Sequence, residues 1–131
     1  MKKKIVCIIQ ARVNSKRYPG KIIMPLLNKT ILQYQLERLK KIKNLNNLIL
    51  ATTKNKSDDK LVRIAKKQKI QIYRGDQNNV LRRYYNCALT YKASIIIRIT
   101  ADCPLIDIKY VNILLKFFLK NKYDYLSNID L

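Results

Sequence analysis

Apolar positions recur with two periods that take turns along the chain. Ile5-Val6-Cys7-Ile8-Ile9 is an unbroken apolar run of strand length, the pattern of a strand covered on both faces. A polar loop through Pro19-Gly20 follows. Thr30 then predicts a helix N-cap, and Gln33 completes a capping box. Leu32, Leu36 and Leu39 share one face of that helix, flanked by Ile31 and Ile42. Residues 48–51 predict the next strand. Ser57 is the expected cap of a second helix, with Asp58 and Asp59 as surface acids in its first turn, where the helix dipole favours them. Leu61, Ile64 and Ala65 face inward. A third strand covers residues 70–73 and ends at Gly75. Asn78 or Asn79 caps a third helix carrying Val80, Leu81, Tyr84 and Ala88. An isoleucine-rich strand at 94–99 leads through a loop into a fourth helix with Val111, Leu114, Leu115 and Phe118 inside. Residues 123–126 read as a fifth strand. Strand and helix alternate four times. This predicts an α/β architecture, a doubly wound, mostly parallel sheet whose ligands sit beyond the carboxyl ends of its strands.

Length and charge narrow the picture. The 131 residues suffice for one domain and are too few for two. Lys and Arg number 28 against 8 Asp and Glu, a formal charge of +20, and there is no His. That absence removes His-based triads, His general bases and His metal sites. Cys7, Cys87 and Cys103 are too scattered for a zinc knuckle, a thioredoxin-like motif or a disulfide framework, and they suit a reducing cytoplasm. Lys2-Lys3-Lys4 ahead of Ile5 imitates a signal peptide, but the apolar run is shorter than the roughly 7–15 residues needed. No stretch approaches the roughly 18 of a membrane span. The charge has three readings: nucleic-acid binding by counterion release, an anionic small molecule such as a nucleoside triphosphate, or a solvated basic surface. The lysines spread along the predicted helices, as at Lys40, Lys41, Lys66, Lys67, Lys116 and Lys120, and interleaved aromatic and basic stacking motifs are missing. Nucleic acid is the weakest of the three.

Two loops carry candidate chemistry. The first follows the first strand and holds Arg12, Lys16, Arg17 and Lys21 in close succession, with Ser15 as a hydroxyl donor and Pro19-Gly20 aiming Lys21. An ordinary solvated turn tolerates such crowding through screening. An anion makes it favourable, since each charge-assisted hydrogen bond is worth about 1.5–3 kcal/mol. A Walker A loop is excluded, because Ser15 stands where that motif needs Gly and Ile22 where it needs Ser or Thr. The second loop, residues 100–107, follows the isoleucine-rich strand. Asp107 there reads as a helix N-cap. Asp102 lies beyond a buried strand, in a segment stiffened by Pro104. Mg²⁺ favours one or two carboxylates plus phosphate oxygens. Cys103 reads as a small packed residue.

The segment Ile8-Ile9-Gln10-Ala11-Arg12, continuing through Ser15 and Arg17 to Pro19-Gly20-Lys21, resembles the opening of the sugar-acid cytidylyltransferases. These are the acylneuraminate and 3-deoxy-manno-octulosonate enzymes, and above all their spore-coat-polysaccharide-type branch. Tyr18 stands where that family usually has Leu. Arg98-Ile99-Thr100-Ala101-Asp102-Cys103-Pro104-Leu105-Ile106-Asp107 is similar to the family's second motif, with Ala101 in place of Gly. A positive φ there would cost about 1 kcal/mol. Arg74-Gly75-Asp76 with Asn79-Val80-Leu81-Arg82-Arg83-Tyr84 also resembles the branch, and residues 123–128 are similar to a later family strand. The resemblance covers the whole chain but only the family's N-terminal half. It implies a truncated nucleotide-diphospho-sugar transferase-like fold, with residues 1–131 as one nucleotide-binding domain of a larger catalytic domain. It also implies transfer of CMP from CTP to a sugar acid with release of pyrophosphate, for surface polysaccharide or glycan synthesis. The residues implied for the nucleotide are Gln10, Ala11, Arg12, Ser15, Arg17, Lys21, Arg83 and Ala101. Arg12, Lys21 and Asp102 are implied in catalysis, and Asp102 in holding Mg²⁺. Gln10 and Ala11 would line the cytosine through backbone groups. Arg83 reads equally as a nucleotide contact and as a solvated helix residue. A homodimer at full length and an exposed sheet edge in this portion are further expectations. The alternatives are a basic α/β nucleic-acid-binding module and a nucleotidyltransferase for another nucleotide.

Overall fold

The computed structural model describes residues 2–129. In chain order its elements are β1 (Ile5–Gln10), β2 (Pro25–Leu26), β3 (Lys29–Thr30), α1 (Ile31–Leu39), β4 (Asn47–Thr53), α2 (Asp59–Lys67), β5 (Gln71–Gly75), α3 (Val80–Thr90), β6 (Ile95–Thr100) and α4 (Ile108–Lys120). The main sheet runs β5-β4-β1-β6, and every pairing in it is parallel. Cys7 lies between Leu48 and Ile97, and Gln10 between Ala51 and Thr100. Central β1 is buried on both faces, as its unbroken apolar run predicts. Ile5, Cys7 and Ile9 meet Leu32, Leu36 and Leu39 of α1, Leu61 and Ala65 of α2 and Leu115 of α4. Val6 and Ile8, with Ile49 and Ala51 of β4, meet Tyr84, Cys87 and Ala88 of α3. Helices therefore cover both faces, and each fully buried leucine of α1 is worth about 1.5–3 kcal/mol.

The caps carry the sequence's local signals into the fold. The Thr30 side chain accepts from the Gln33 N–H, and Gln33 returns a bond to the Thr30 N–H, closing the expected capping box. Asn79 caps α3, and Asp107 caps α4 by accepting from the N–H groups of Lys109 and Tyr110. The second helix differs. A 3₁₀ turn, Lys56–Asp58, precedes α2, and its cap is Asn55, whose side chain accepts from the Ser57 N–H. The antiparallel pair β2 and β3 was not expected, since two-residue strands carry no periodicity. Among the described residues no strand follows α4. The Tyr123 ring instead stacks on Phe117 with centroids 5.6 Å apart, so this segment folds back on the helix rather than along the sheet. Among the described residues no strand pairs with the outer edge of β6, and Ile96, in register with Val6 on the α3 face of the sheet, is 47% exposed.

Two helices end in a conformation that their residues resist. The Ile70 N–H reaches back to the Ala65 carbonyl, and the Ala93 N–H to the Ala88 carbonyl, closing Schellman-type ends. The residues forced into the left-handed region there are Lys69 (φ 57°) and Lys92 (φ 51°), in a chain with only 2 Gly. Lys69→Gly and Lys92→Gly should each raise stability by about 0.5–1 kcal/mol, measured by urea denaturation with an unchanged m-value. A loss of stability would mean that the lysine side chains, not the backbone, govern these ends.

Candidate functional site

From β1 the chain steps outward to β4 and β5, then returns to place β6 on the other side of β1. The order reverses between β1 and β6, and a crevice opens beyond the carboxyl ends of these two strands. The two loops singled out in the sequence are the ones that leave those ends.

Loop 11–20 is built around Val13. The Val13 carbonyl accepts from the N–H groups of Ser15 (3.0 Å) and Gly20 (2.8 Å), and the Val13 N–H donates to Asp58 Oδ1 (2.8 Å). Gly20 has φ 74°, and a Cβ there would meet nothing, so the backbone conformation alone calls for glycine. Lys21 follows at once, exposed; Arg17 and Lys16 are exposed, and Arg12 and Ser15 are half-buried. Two backbone groups expected to line a base are already engaged: the Ala11 N–H donates to the Ala51 carbonyl, and the Gln10 carbonyl accepts from the Ala101 N–H. Asp58 is no surface acid. It is 1% exposed, and it accepts from the Val13 N–H, the Thr53 N–H and the Thr53 hydroxyl, tying loop 11–20 to the end of β4.

Loop 101–107 presents Asp102 to solvent. Ala101 is buried and has no positive φ, so its replacement of glycine carries no backbone strain. The Thr100 hydroxyl donates to Asp102 Oδ1 (2.6 Å). That bond is the main reason the Asp102 carboxyl lies below its ordinary range, and the Lys21 ammonium adds to it. The loops that hold Lys21 and Asp102 leave adjacent strand ends, since Gln10 of β1 pairs with Thr100 of β6. A depressed pKa marks an interaction that is complete above the ordinary carboxylate range and lost as pH falls through the folded value. Thr100→Val should move the Asp102 titration, followed by carboxyl-carbon NMR, toward ordinary aspartate; an unmoved titration would assign the depression to the Asp102 N–H, Cys103 and Lys21 instead. Cys103 is exposed rather than packed, and burial and Asp102 raise its thiol pKa, which disfavours a thiolate.

Arg83 is neither solvated nor protruding. It is fully buried, its Nε donates to the Asp76 carbonyl (2.9 Å), its Nη2 donates to the Gln77 carbonyl (3.2 Å), and Nη1 has no partner. Burial, then the nearby Arg12 guanidinium, lowers its pKa. Gly75 makes room for it, since a Cβ there would lie 3.1 Å from Arg83 Cγ and 2.7 Å from the Tyr73 ring. A small polar crevice of about 30 Å³ lies nearby, lined by Arg12, Thr53, Asn55, Asp58 and Gln77 among others. A larger hollow of about 420 Å³, between Lys3, Ile95 and residues 118–124, lies away from both loops.

A model of the cytidylyltransferase family matches residues 6–130, nearly the full length. The chain belongs to the cytidylyltransferase family. It is 41% identical to an uncharacterized protein of Methanocaldococcus jannaschii over 95% of this chain and 51% of that protein. It is 33% identical to the spore coat polysaccharide biosynthesis protein SpsF of Bacillus subtilis, over 97% of this chain and 55% of that one. It is 36% identical to a 3-deoxy-manno-octulosonate cytidylyltransferase of Solibacter usitatus, over 82% and 42%. The structure of a cytidylyltransferase from Leptospira borgpetersenii superposes with a TM-score of 0.89 at 44% identity, covering 92% of this chain and 51% of that one. The chain spans about half the length of the curated relatives it matches.

Within this cytidylyltransferase chain the donor set limits what metal it can hold. Among the described residues no three His, Cys, Asp or Glu side chains converge as a metal centre. One exposed carboxylate, Asp102, fits a Mg²⁺ ion that arrives already chelated by phosphate oxygens rather than a resident ion. No helix of the described residues is long and apolar enough to cross a membrane. Sequence reasoning missed Asp58, whose burial depends on where loop 11–20 lands. It also missed Gln35, although a polar residue among Leu32, Leu36 and Leu39 on one helical face was a visible signal.

Proposed function

We propose that this chain binds the CTP of a sugar-acid cytidylyltransferase, and that the protein transfers CMP from CTP to a sugar acid in surface polysaccharide synthesis. In that reaction a sugar hydroxyl oxygen forms a bond to the α-phosphorus as the bond to the leaving pyrophosphate breaks, and the hydroxyl proton passes to solvent or a nearby base. Arg12, Arg17 and Lys21 hold the triphosphate, with the Ser15 hydroxyl as a further donor. The base lies toward the polar crevice of Arg12, Asn55 and Gln77, since the backbone of Gln10 and Ala11 is largely committed to the sheet. Buried Arg83 holds the carbonyls of Asp76 and Gln77 and so shapes that crevice from behind. Asp102 would hold Mg²⁺, which supplies charge neutralisation at the phosphates. Catalysis of this type is positioning plus electrostatics. The observation that carries the reading is that loop 11–20, which leads into Lys21, and loop 101–107, which carries Asp102, leave the carboxyl ends of adjacent β1 and β6, at the point where strand order reverses. The relatives' names supply the sugar acid and the polysaccharide.

A thermal-shift panel of CTP, UTP, ATP and GTP, with and without Mg²⁺, tests it. At 100 times its dissociation constant a ligand adds about 2.7 kcal/mol. CTP with Mg²⁺ should raise the midpoint most. An equal response to all four nucleotides, or a larger one to another, would overturn the assignment to CTP.

A further inference from the structure

The stripe of α1 that faces the sheet contains a residue that packing does not explain. Leu32, Gln35, Leu36 and Leu39 are all fully buried, and Gln35 is the one polar member. Its Oε1 has no hydrogen-bond partner, a costly state for a buried amide oxygen. Leucine or methionine would fill the same space without that loss. The other end of the amide is fully used: Gln35 Nε2 donates to the Thr100 carbonyl at 2.7 Å, across 65 residues of sequence. One turn further along α1, Arg38 Nε donates to the Ile106 carbonyl at 3.1 Å. Residues three apart on a helix lie on the same side. One rigid helix therefore grips both ends of the segment that carries Asp102. Inside the grip the Thr100 hydroxyl donates to Asp102 Oδ1, and the Ala101 N–H donates to the Gln10 carbonyl.

We infer that Gln35 and Arg38 are positioning residues: acting through the carbonyls of Thr100 and Ile106, they hold loop 101–107 so that the Asp102 carboxylate is aimed at the metal–phosphate site. This rests on the reading of Asp102 as the metal-holding carboxylate. Groups that orient a ligating residue change metal affinity about 10–100-fold when removed. A role confined to packing would change global stability and leave metal affinity alone.

The experiment uses Mn²⁺ with CTP as the probe, its dissociation constant measured by electron paramagnetic resonance, together with amide hydrogen exchange of residues 101–107. Gln35→Met and Arg38→Ala should each speed exchange in that segment and weaken Mn²⁺ binding by about 10-fold. Exchange in α2 and β5 should stay unchanged. Arg38→Lys, which keeps a donor within reach of the Ile106 carbonyl, should recover most of the lost affinity. Asp102→Asn tests the underlying reading by itself. If it leaves Mn²⁺ affinity intact, Asp102 is not the ligand, and that reading falls. If it weakens binding while Gln35→Met and Arg38→Ala leave both affinity and loop exchange at wild-type values, the grip of α1 is overturned and the metal assignment stands. Should Gln35→Met fail to fold, the half-buried Arg38 pair decides the matter by the same readouts.

Discussion

In the CMP transfer proposed above, replacing Lys21 with alanine should lower kcat by ~10²–10³, with a much smaller change in KM for CTP. The expectation follows from where the ammonium sits. Gly20, in the left-handed region, turns the chain immediately before Lys21, which is exposed at the end of the loop that leaves β1. The positive charge of Lys21 acts to lower the pKa of both Asp102 and Cys103. In transfer to the α-phosphorus, negative charge builds on the departing pyrophosphate, and a preorganised cation at that point stabilises the transition state more than bound CTP. Lys16→Ala is the matched control. It removes the same charge from the same loop at another exposed position, so it should change kcat less than about three-fold if only the protein's general field is involved. The assay is pyrophosphate release from CTP and a sugar acid. Equal losses in the two variants would mean that the loop acts as a diffuse basic surface, and Lys21 would lose its assigned role.

What could be read from the sequence was what is local. The Thr30–Gln33 capping box and the Asn79 and Asp107 caps depend on residues three or fewer apart, and all three stand as expected. The unbroken apolar run of β1 marked a strand covered on both faces, and alternation of strand and helix marked the parallel sheet. Both loops at the site were therefore identifiable before any topology was known. What stayed hidden depends on contacts between distant segments. Asp58 has the sequence appearance of a helix-dipole acid, and only the landing of Val13 on its carboxylate removes it from water. Arg83 lies on a helix that reads as half solvated, and its burial depends on the absent side chain of Gly75 eight residues earlier. Gln35 finds its partner 65 residues away. The β2–β3 turn escaped for a different reason. Its left-handed position holds Leu27 (φ 58°, 91% exposed), where turn chemistry would call for Gly or Asn.

Asp58→Ala should destabilise the protein by about 3 kcal/mol and abolish measurable CTP binding. The buried carboxylate accepts three hydrogen bonds: from the Val13 N–H, the Thr53 N–H and the Thr53 hydroxyl. Hydrogen bonds to a charged acceptor are worth about 1.5–3 kcal/mol each, and removal strands buried donors as well as deleting bonds. The first of the three is the consequential one for function. Val13 is the centre on which loop 11–20 is folded, with its carbonyl holding both Ser15 and Gly20. Freeing its N–H cuts the tie between loop 11–20 and Asp58, so the positions of Arg12, Ser15, Arg17 and Lys21 relative to the sheet would have to be restored by the nucleotide at an entropic cost. Asp58→Asn separates the two effects. The amide keeps one acceptor oxygen and the same shape, so that oxygen can serve either the Val13 N–H or the Thr53 N–H but not both. Its stability loss should be about half that of alanine, while CTP affinity falls according to which donor it abandons. Guanidinium denaturation gives the first quantity and titration calorimetry with CTP the second. If Asp58→Ala lost stability yet bound CTP as the native protein does, Asp58 would be a strut of β4 alone, and loop 11–20 would owe its shape to Gly20 and the Val13 carbonyl.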